Sequence, residues 1–146
     1  MTSYEKYEHW LTLSRYDIDT AKILLDAKRY SYVPVLCQQS AERLLKGMFV
    51  CHTGKESNKS HNVPFLANKL IESITFIETE AGKRFEKEKD DYEELMVDLM
   101  FYYMSDYPFS YKKFSDRFIE EKVALEIYNN TLKLLTWLES FQVGLK

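Results

Sequence analysis

Glycine and proline are scarce in this 146-residue sequence, four and three in all. That scarcity removes the turn residues that a domain of many short strands needs, and it favours a few long helices. Cysteine is equally sparse. Cys37 and Cys51 both fall in one stretch that reads as a single helix, roughly 21 Å apart at the helical rise, too far for a disulfide. They are expected to be plain core thiols, which suits a reducing cytoplasm. No apolar run approaches the length of a membrane span, and Met1-Thr2-Ser3-Tyr4-Glu5 lacks the pattern of a signal peptide. Positive charge is not in excess: the net charge is −3, so nothing draws the whole chain to nucleic acid or an anionic membrane, although a local basic patch is compatible with that value. There is no glycine-rich phosphate loop, no Ser/His/Asp arrangement and no Cys/His cluster at ligand spacing. No metal or cofactor is expected. Internal repeats and low-complexity segments are also missing.

What remains is a soluble globular composition, 45% hydrophobic and 29% charged, long enough for one domain over 1–146 with its own core. Eleven tyrosines and nine phenylalanines point to thick aromatic packing that could extend across a subunit interface. The apolar spacing predicts a first helix over about Ser3–Lys28, capped by Ser3, with the stripe Tyr7, Leu11, Ser14, Ile18, Ala21 and Leu25. A second helix runs to about His52, with Ser31 as cap, Pro34 in its first turn and Gly54 at its end. Its middle, Leu36 to Lys46, has a broad face of apolar and small residues. Gln38, Gln39, Glu42, Arg43 and Lys46 fall largely outside that face. Small residues in the stripe let a neighbouring helix approach closely.

A third helix begins at Asn62 and carries Phe65, Leu66, Leu70, Ile74 and Ile77, with Gly82 breaking or kinking it. Lys83 to Asp91 is densely charged and reads as a solvated face. A fourth helix carries Tyr92, Leu95, Met96, Leu99, Tyr102 and Tyr103. Pro108 cannot continue it, so Ser105 to Ser115 is a connection. A last helix, capped by Ser115 or Asp116, repeats Ala124, Ile127, Thr131, Leu134, Leu138 and Phe141, with Gly144 marking its end. The expected fold is all-α: an antiparallel up-and-down bundle of four long helices with an extra short or kinked one.

Three features in order resemble the HEPN family of small helical domains. The first is Trp10 followed by Arg15 to Leu25, similar to that family's first helix. The second is Gln38-Gln39-Ser40-Ala41-Glu42-Arg43-Leu44-Leu45-Lys46-Gly47, which is similar to its "QQAAEKALKA" signature. The third is Ser60-His61-Asn62-Val63 followed by Leu66, similar to its "H-D-L..L" start, with Asn in the capping place of Asp. The resemblance implies a homodimer, a nucleotide or RNA ligand, and a minimal nucleotidyltransferase as a toxin–antitoxin partner. Ribonuclease members carry Arg, four to six residues, then His. No arginine here is followed by histidine at that distance, and Asp106-Tyr107-Pro108 stands where relatives commonly have Arg-Tyr-Pro. Metal-independent RNA cleavage needs a proton-transfer group and a cation for the developing charge. The expected protein is therefore a HEPN-like binding domain without catalytic residues. The alternative is a divergent metal-independent ribonuclease toxin using Lys112 or Lys113.

The candidate ligand residues are Arg43 and Lys46 on the second helix, with Asp106, Tyr107, Tyr111, Lys112, Lys113 and Arg117 on the connection. Lys112, Lys113 and Arg117 would meet phosphate while Tyr107 or Tyr111 stacks on a base. The plainer reading is a solvated loop with Arg117 paired to an acid. For the polar residues of the second helix, the alternatives are a cleft near a dimer axis or surface polarity with buried bonds to an adjoining connection. His61 beside a helix cap reads as an ordinary hydrogen-bonding residue, and His9 and His52 lack ligand partners.

Overall fold

The structure, a computed structural model, describes residues 1–105 and 119–142. In order these form α1 (Ser3–Asp26), α2 (Val33–Thr53), α3 (Val63–Glu72), α4 (Ile74–Ile77), α5 (Glu80–Glu88), a 3-10 turn (Lys89–Tyr92), α6 (Glu93–Ser105), α7 (Glu121–Glu139) and a closing 3-10 turn (Ser140–Gln142). The described residues contain no strand, so the all-helical expectation holds. α2 is the central element, packed against α1, α3, α4, α6 and α7. Leu44, Leu45, Met48 and Val50 on it are fully or almost fully buried.

α1 and α2 run antiparallel and touch through small residues. The Ser14 hydroxyl donates to the Ser40 carbonyl and the Ser40 hydroxyl donates to the Ser14 carbonyl, each at 2.8 Å. Each hydroxyl has one proton, so this reciprocal pair uses both and leaves neither buried donor orphaned. Two turns further on, Gly47 has no room for a side chain. A Cβ there would stand 2.8 Å from Trp10 Cβ and 3.2 Å from Tyr7 Cδ1. The stripes on α1 and α7 pack largely as their spacing predicts: Tyr7, Ser14, Ile18, Ala21 and Leu25 are buried and Leu11 is half-buried against the core, while Ala124, Ile127, Thr131, Leu134 and Leu138 are buried together with Phe141 in the closing 3-10 turn. Both cysteines are free thiols.

Helix ends depart from expectation in several places. Thr2, not Ser3, caps α1, its hydroxyl accepting from the Glu5 amide at 3.1 Å. α1 stops at Asp26 because Lys28 turns to φ 61, the left-handed position that usually falls to glycine after a helix. Tyr32, not Ser31, is the first flanking residue of α2 and makes no side-chain cap, although Pro34 does sit in the first turn. Asn62 caps α3 as expected, accepting from the Phe65 amide at 3.0 Å. α7 starts at Glu121 with Glu120 as N-cap. Ser115, Asp116 and Gly144, assigned from sequence to its ends, lie outside the described residues.

The largest correction concerns the third helix. It breaks at Ser73, not at Gly82. Ser73 is extended, at φ −83 and ψ 117, and the chain restarts as the single turn α4. The break turns Phe76 fully into the core and leaves Ile74 68% exposed. Gly82 then lies inside α5, where a Cβ would stand 1.8 Å from the Phe76 carbonyl oxygen. Its hydrogen atom is what lets α5 cross the backbone of α4. The charged segment is not simply a solvated face either. Phe85 within it is fully buried, stacked on Trp137 at 5.0 Å and edge-on to Phe76 and Phe141. The Arg84 guanidinium lies 3.8 Å over the Phe141 ring, and Glu88 accepts from Trp137 Nε1 at 2.9 Å.

Two glycines separate steric from backbone demands. Gly82→Ala should lower unfolding free energy by about 3 kcal/mol in urea denaturation, the upper part of the overpacking range. Gly54→Ala, with φ 73 but only an ordinary contact of the new methyl with Ser3 Oγ at 3.8 Å, should cost only about 1 kcal/mol.

Candidate functional site

The polar residues of α2 form two lines at four-residue spacing, and both lines turn inward. The first is Gln38, Glu42 and Lys46. Gln38 Nε2 donates to Glu42 Oε1 at 2.9 Å and to the His61 carbonyl at 2.8 Å. Lys46 Nζ meets Glu42 Oε2 at 2.9 Å, and His61 Nδ1 meets Glu42 Oε1 at 2.8 Å. Gln38 and Glu42 are buried, which corrects the expectation that they fall outside the packed face. The packed neighbour is the segment leading into α3, which folds over α2 and brings His61 with it.

The second line is Gln39 and Arg43, and its partner is Asp17 on α1. Arg43 Nη1 reaches both Asp17 oxygens at 3.0 Å, and Gln39 Nε2 donates to Oδ1 at 3.0 Å. Asp17 is buried between the two helices. It can be there because the Ser14–Ser40 contact lets the helices approach closely enough for α2 side chains to cover it.

The two carboxylates differ in protonation energetics. Burial pushes the Glu42 carboxyl up, but the hydrogen bonds of Lys46, Gln38 and His61 outweigh it and hold the group below its usual range. Burial also pushes Asp17 up, and Gln39 and Arg43 counter this only in part, so Asp17 stays above its usual value. Glu42 is thus the better-compensated ion. His52 is held below its usual pKa by burial, against the hydrogen-bonding effect of Gln142. Its Nε2 lies 2.6 Å from Gln142 Oε1 and its ring lies 4.5 Å from that of Phe76.

Of the ligand residues named from sequence, Arg43 and Lys46 lie on neighbouring lines of α2. Each is already paired with a carboxylate whose side chain is at most 7% exposed. A phosphate arriving at either must compete with that internal counter-charge. Asp106, Tyr107, Tyr111, Lys112, Lys113 and Arg117 lie outside the described residues. The sequence allows buried bonds from the polar residues of α2 to an adjoining connection, and Gln38 makes one to the His61 carbonyl; it names no partner for Glu42 and gives Asp17 no role. The signal for Glu42 was its four-residue spacing from both Gln38 and Lys46. Asp17 had no such signal. Among the described residues, no group of three or more His, Cys, Asp or Glu side chains is placed to hold a metal ion.

An all-helical bundle with an internally neutralised polar face on its central helix defines the class of protein. The chain matches the HEPN domain over residues 7–141 and belongs to that family, whose helical domains are of nucleotide-binding and ribonuclease type. Comparison with curated proteins gives no match, and comparison with solved structures gives none. Among the described residues, no helix is long and apolar enough to cross a membrane.

Glu42→Gln should destabilise the fold by about 2 kcal/mol at neutral pH, since it leaves Lys46 without its buried counter-ion. Because folding lowers the Glu42 pKa from 4.5, the contribution of the carboxylate is complete above that value. It disappears as pH falls through the folded-state pKa. The stability gap between wild type and Glu42→Gln, measured by urea denaturation, should therefore be constant above about pH 5 and shrink on further acidification.

Proposed function

We propose that this HEPN domain binds and does not cleave: a cytoplasmic homodimeric module for a nucleotide or RNA, working beside a minimal nucleotidyltransferase in a toxin–antitoxin type pair. The observation that carries the reading is the state of the cations on the central helix. Arg43 and Lys46 each hold a buried carboxylate, so they act as fastenings of the bundle. The sequence supports the same reading, because it has no arginine followed by histidine at the spacing of the family's ribonucleases. Aspartate stands at position 106 where the related motif places a cation. A carboxylate there repels phosphate and cannot stabilise the charge that develops during phosphodiester cleavage. The family's nucleotide-binding type supplies the ligand class. The aromatic surplus supports a homodimer, and the family resemblance supports the partner.

The reading is tested with purified protein. Labelled single-stranded RNA should remain intact after prolonged incubation without added metal, while calorimetric titration with nucleotides or short RNA shows saturable binding. RNA cleavage that disappears in Lys112→Ala/Lys113→Ala would replace this reading with a divergent ribonuclease. Light scattering at micromolar concentration should give the mass of a dimer, and a monomer would remove the dimeric part of the proposal.

A further inference from the structure

One face of α1 stays open to solvent. Opposite the buried stripe, Thr12, Tyr16, Thr20, Ile23 and the C-cap residue Ala27 follow one another at four- and three-residue steps. They share one line along the helix for about four turns. The line holds no charged side chain. Tyr16 is 71% exposed and Ile23 65%. Isolated apolar residues in water are ordinary, but these two stand about two turns apart on one uncharged line. The hydroxyls beside them make no demand on water: Thr12 donates to the Glu8 carbonyl at 2.9 Å and Thr20 to the Tyr16 carbonyl at 2.8 Å. The line can therefore be covered without leaving a threonine donor unpaired.

One position before Tyr16, Thr20, Ile23 and Ala27 stand Arg15, Asp19, Lys22 and Asp26, a parallel row that is exposed throughout and alternates in sign. Lys22 meets Asp26 at 2.8 Å and Arg15 meets Glu139 of α7 at 2.6 Å. Exposed pairs of this kind are worth little and exchange readily for others. Asp19 enters none of the ion pairs formed among the described residues.

The order of the charges decides what the face fits. A row that runs plus, minus, plus, minus is complementary to itself when reversed. A second copy of α1, antiparallel and related by a twofold axis beside Thr20, brings Arg15 level with Asp26 of the partner subunit and Asp19 level with Lys22 of the partner subunit. The same register seats Tyr16 between Ile23 and Ala27 of the partner subunit, as a knob in a hole. A parallel pair in register would set like charge against like. We infer that this face of α1 is the contact between two copies of the chain, antiparallel about Thr20. Twofold symmetry makes each contact occur twice. The inference rests on the homodimer reading above and gives that dimer its surface.

Sedimentation velocity over a concentration series tests it on the whole chain. Wild type should be a dimer at micromolar concentration. Ile23→Glu, which places a charge on the uncharged line at an exposed site, should raise the dimer Kd at least about tenfold with circular dichroism unchanged. A second measurement fixes the register. Thr20→Cys, in a Cys51→Ser background that leaves only the buried Cys37 thiol, should form an intermolecular disulfide under mild oxidation, because the axis brings the two copies of that position together. His9→Cys in the same background should not, because an antiparallel pair carries its two copies to opposite ends. If wild type dimerises, Ile23→Glu dimerises equally well and Thr20→Cys does not cross-link, the surface is wrong while the homodimer reading stands. If His9→Cys cross-links as readily as Thr20→Cys, the antiparallel register is wrong. If wild type is a monomer throughout, the surface and the homodimer fall together.

Discussion

The reciprocal hydrogen bonds between Ser14 and Ser40 are the contact on which the rest of the bundle depends. Two hydroxyls, each donating to the opposite backbone carbonyl at 2.8 Å, hold α1 and α2 at a distance that larger side chains would prevent. Gly47 keeps the same approach two turns further on, against Trp10 and Tyr7. Once the helices are that close, the side of α1 bearing Asp17 is covered by Gln39 and Arg43. The side of α2 bearing Glu42 is closed by the segment around His61. Hydrogen bonds of this kind give little net stability apiece, but leaving such groups unpaired in the interior is costly. Their main effect is to define how the two helices fit together.

Burial of Glu42 and Asp17 then decides what the second helix can do. Charges removed from water need partners, and the nearest cations are Lys46 and Arg43. A helix whose exposed pattern of Gln, Glu, Arg and Lys resembles a binding face is thereby made part of the interior wiring. A phosphate ligand at Arg43 or Lys46 has to compete with Asp17 or Glu42.

Much of this architecture was legible in sequence. The seven-residue stripes of α1 and α7 depend only on helical periodicity, which is local, and they packed as spaced. Asn62 was readable as a cap because capping is a contact three residues long. The small residues of α2 announced a close neighbour. The break at Ser73 was not readable, since serine is neither a breaker nor a strong helix former. What decides it is the gain from burying Phe76, a tertiary effect. Gly82 was assigned the opposite role to the one it plays, because a glycine that ends a helix and a glycine that lets a backbone pass look the same in one dimension. Buried amide bonds to an adjoining connection were one of the two readings for α2, and Gln38 makes one to the His61 carbonyl; the burial of Glu42 was hidden, because periodicity identifies a face without saying what lies against it. The ring stack joins Phe85 to Trp137 across more than fifty residues, beyond any local pattern, so a run of charges concealed it.

The central claim is that the polar face of α2 holds the fold together. A double-mutant cycle on Glu42→Gln and Lys46→Met, read by urea denaturation at neutral pH, tests it most directly. The account predicts a coupling energy of about 1 kcal/mol or more between the two positions, as for side chains joined in one buried network. Purely additive effects would contradict it, and would return Lys46 to the set of residues available to a ligand.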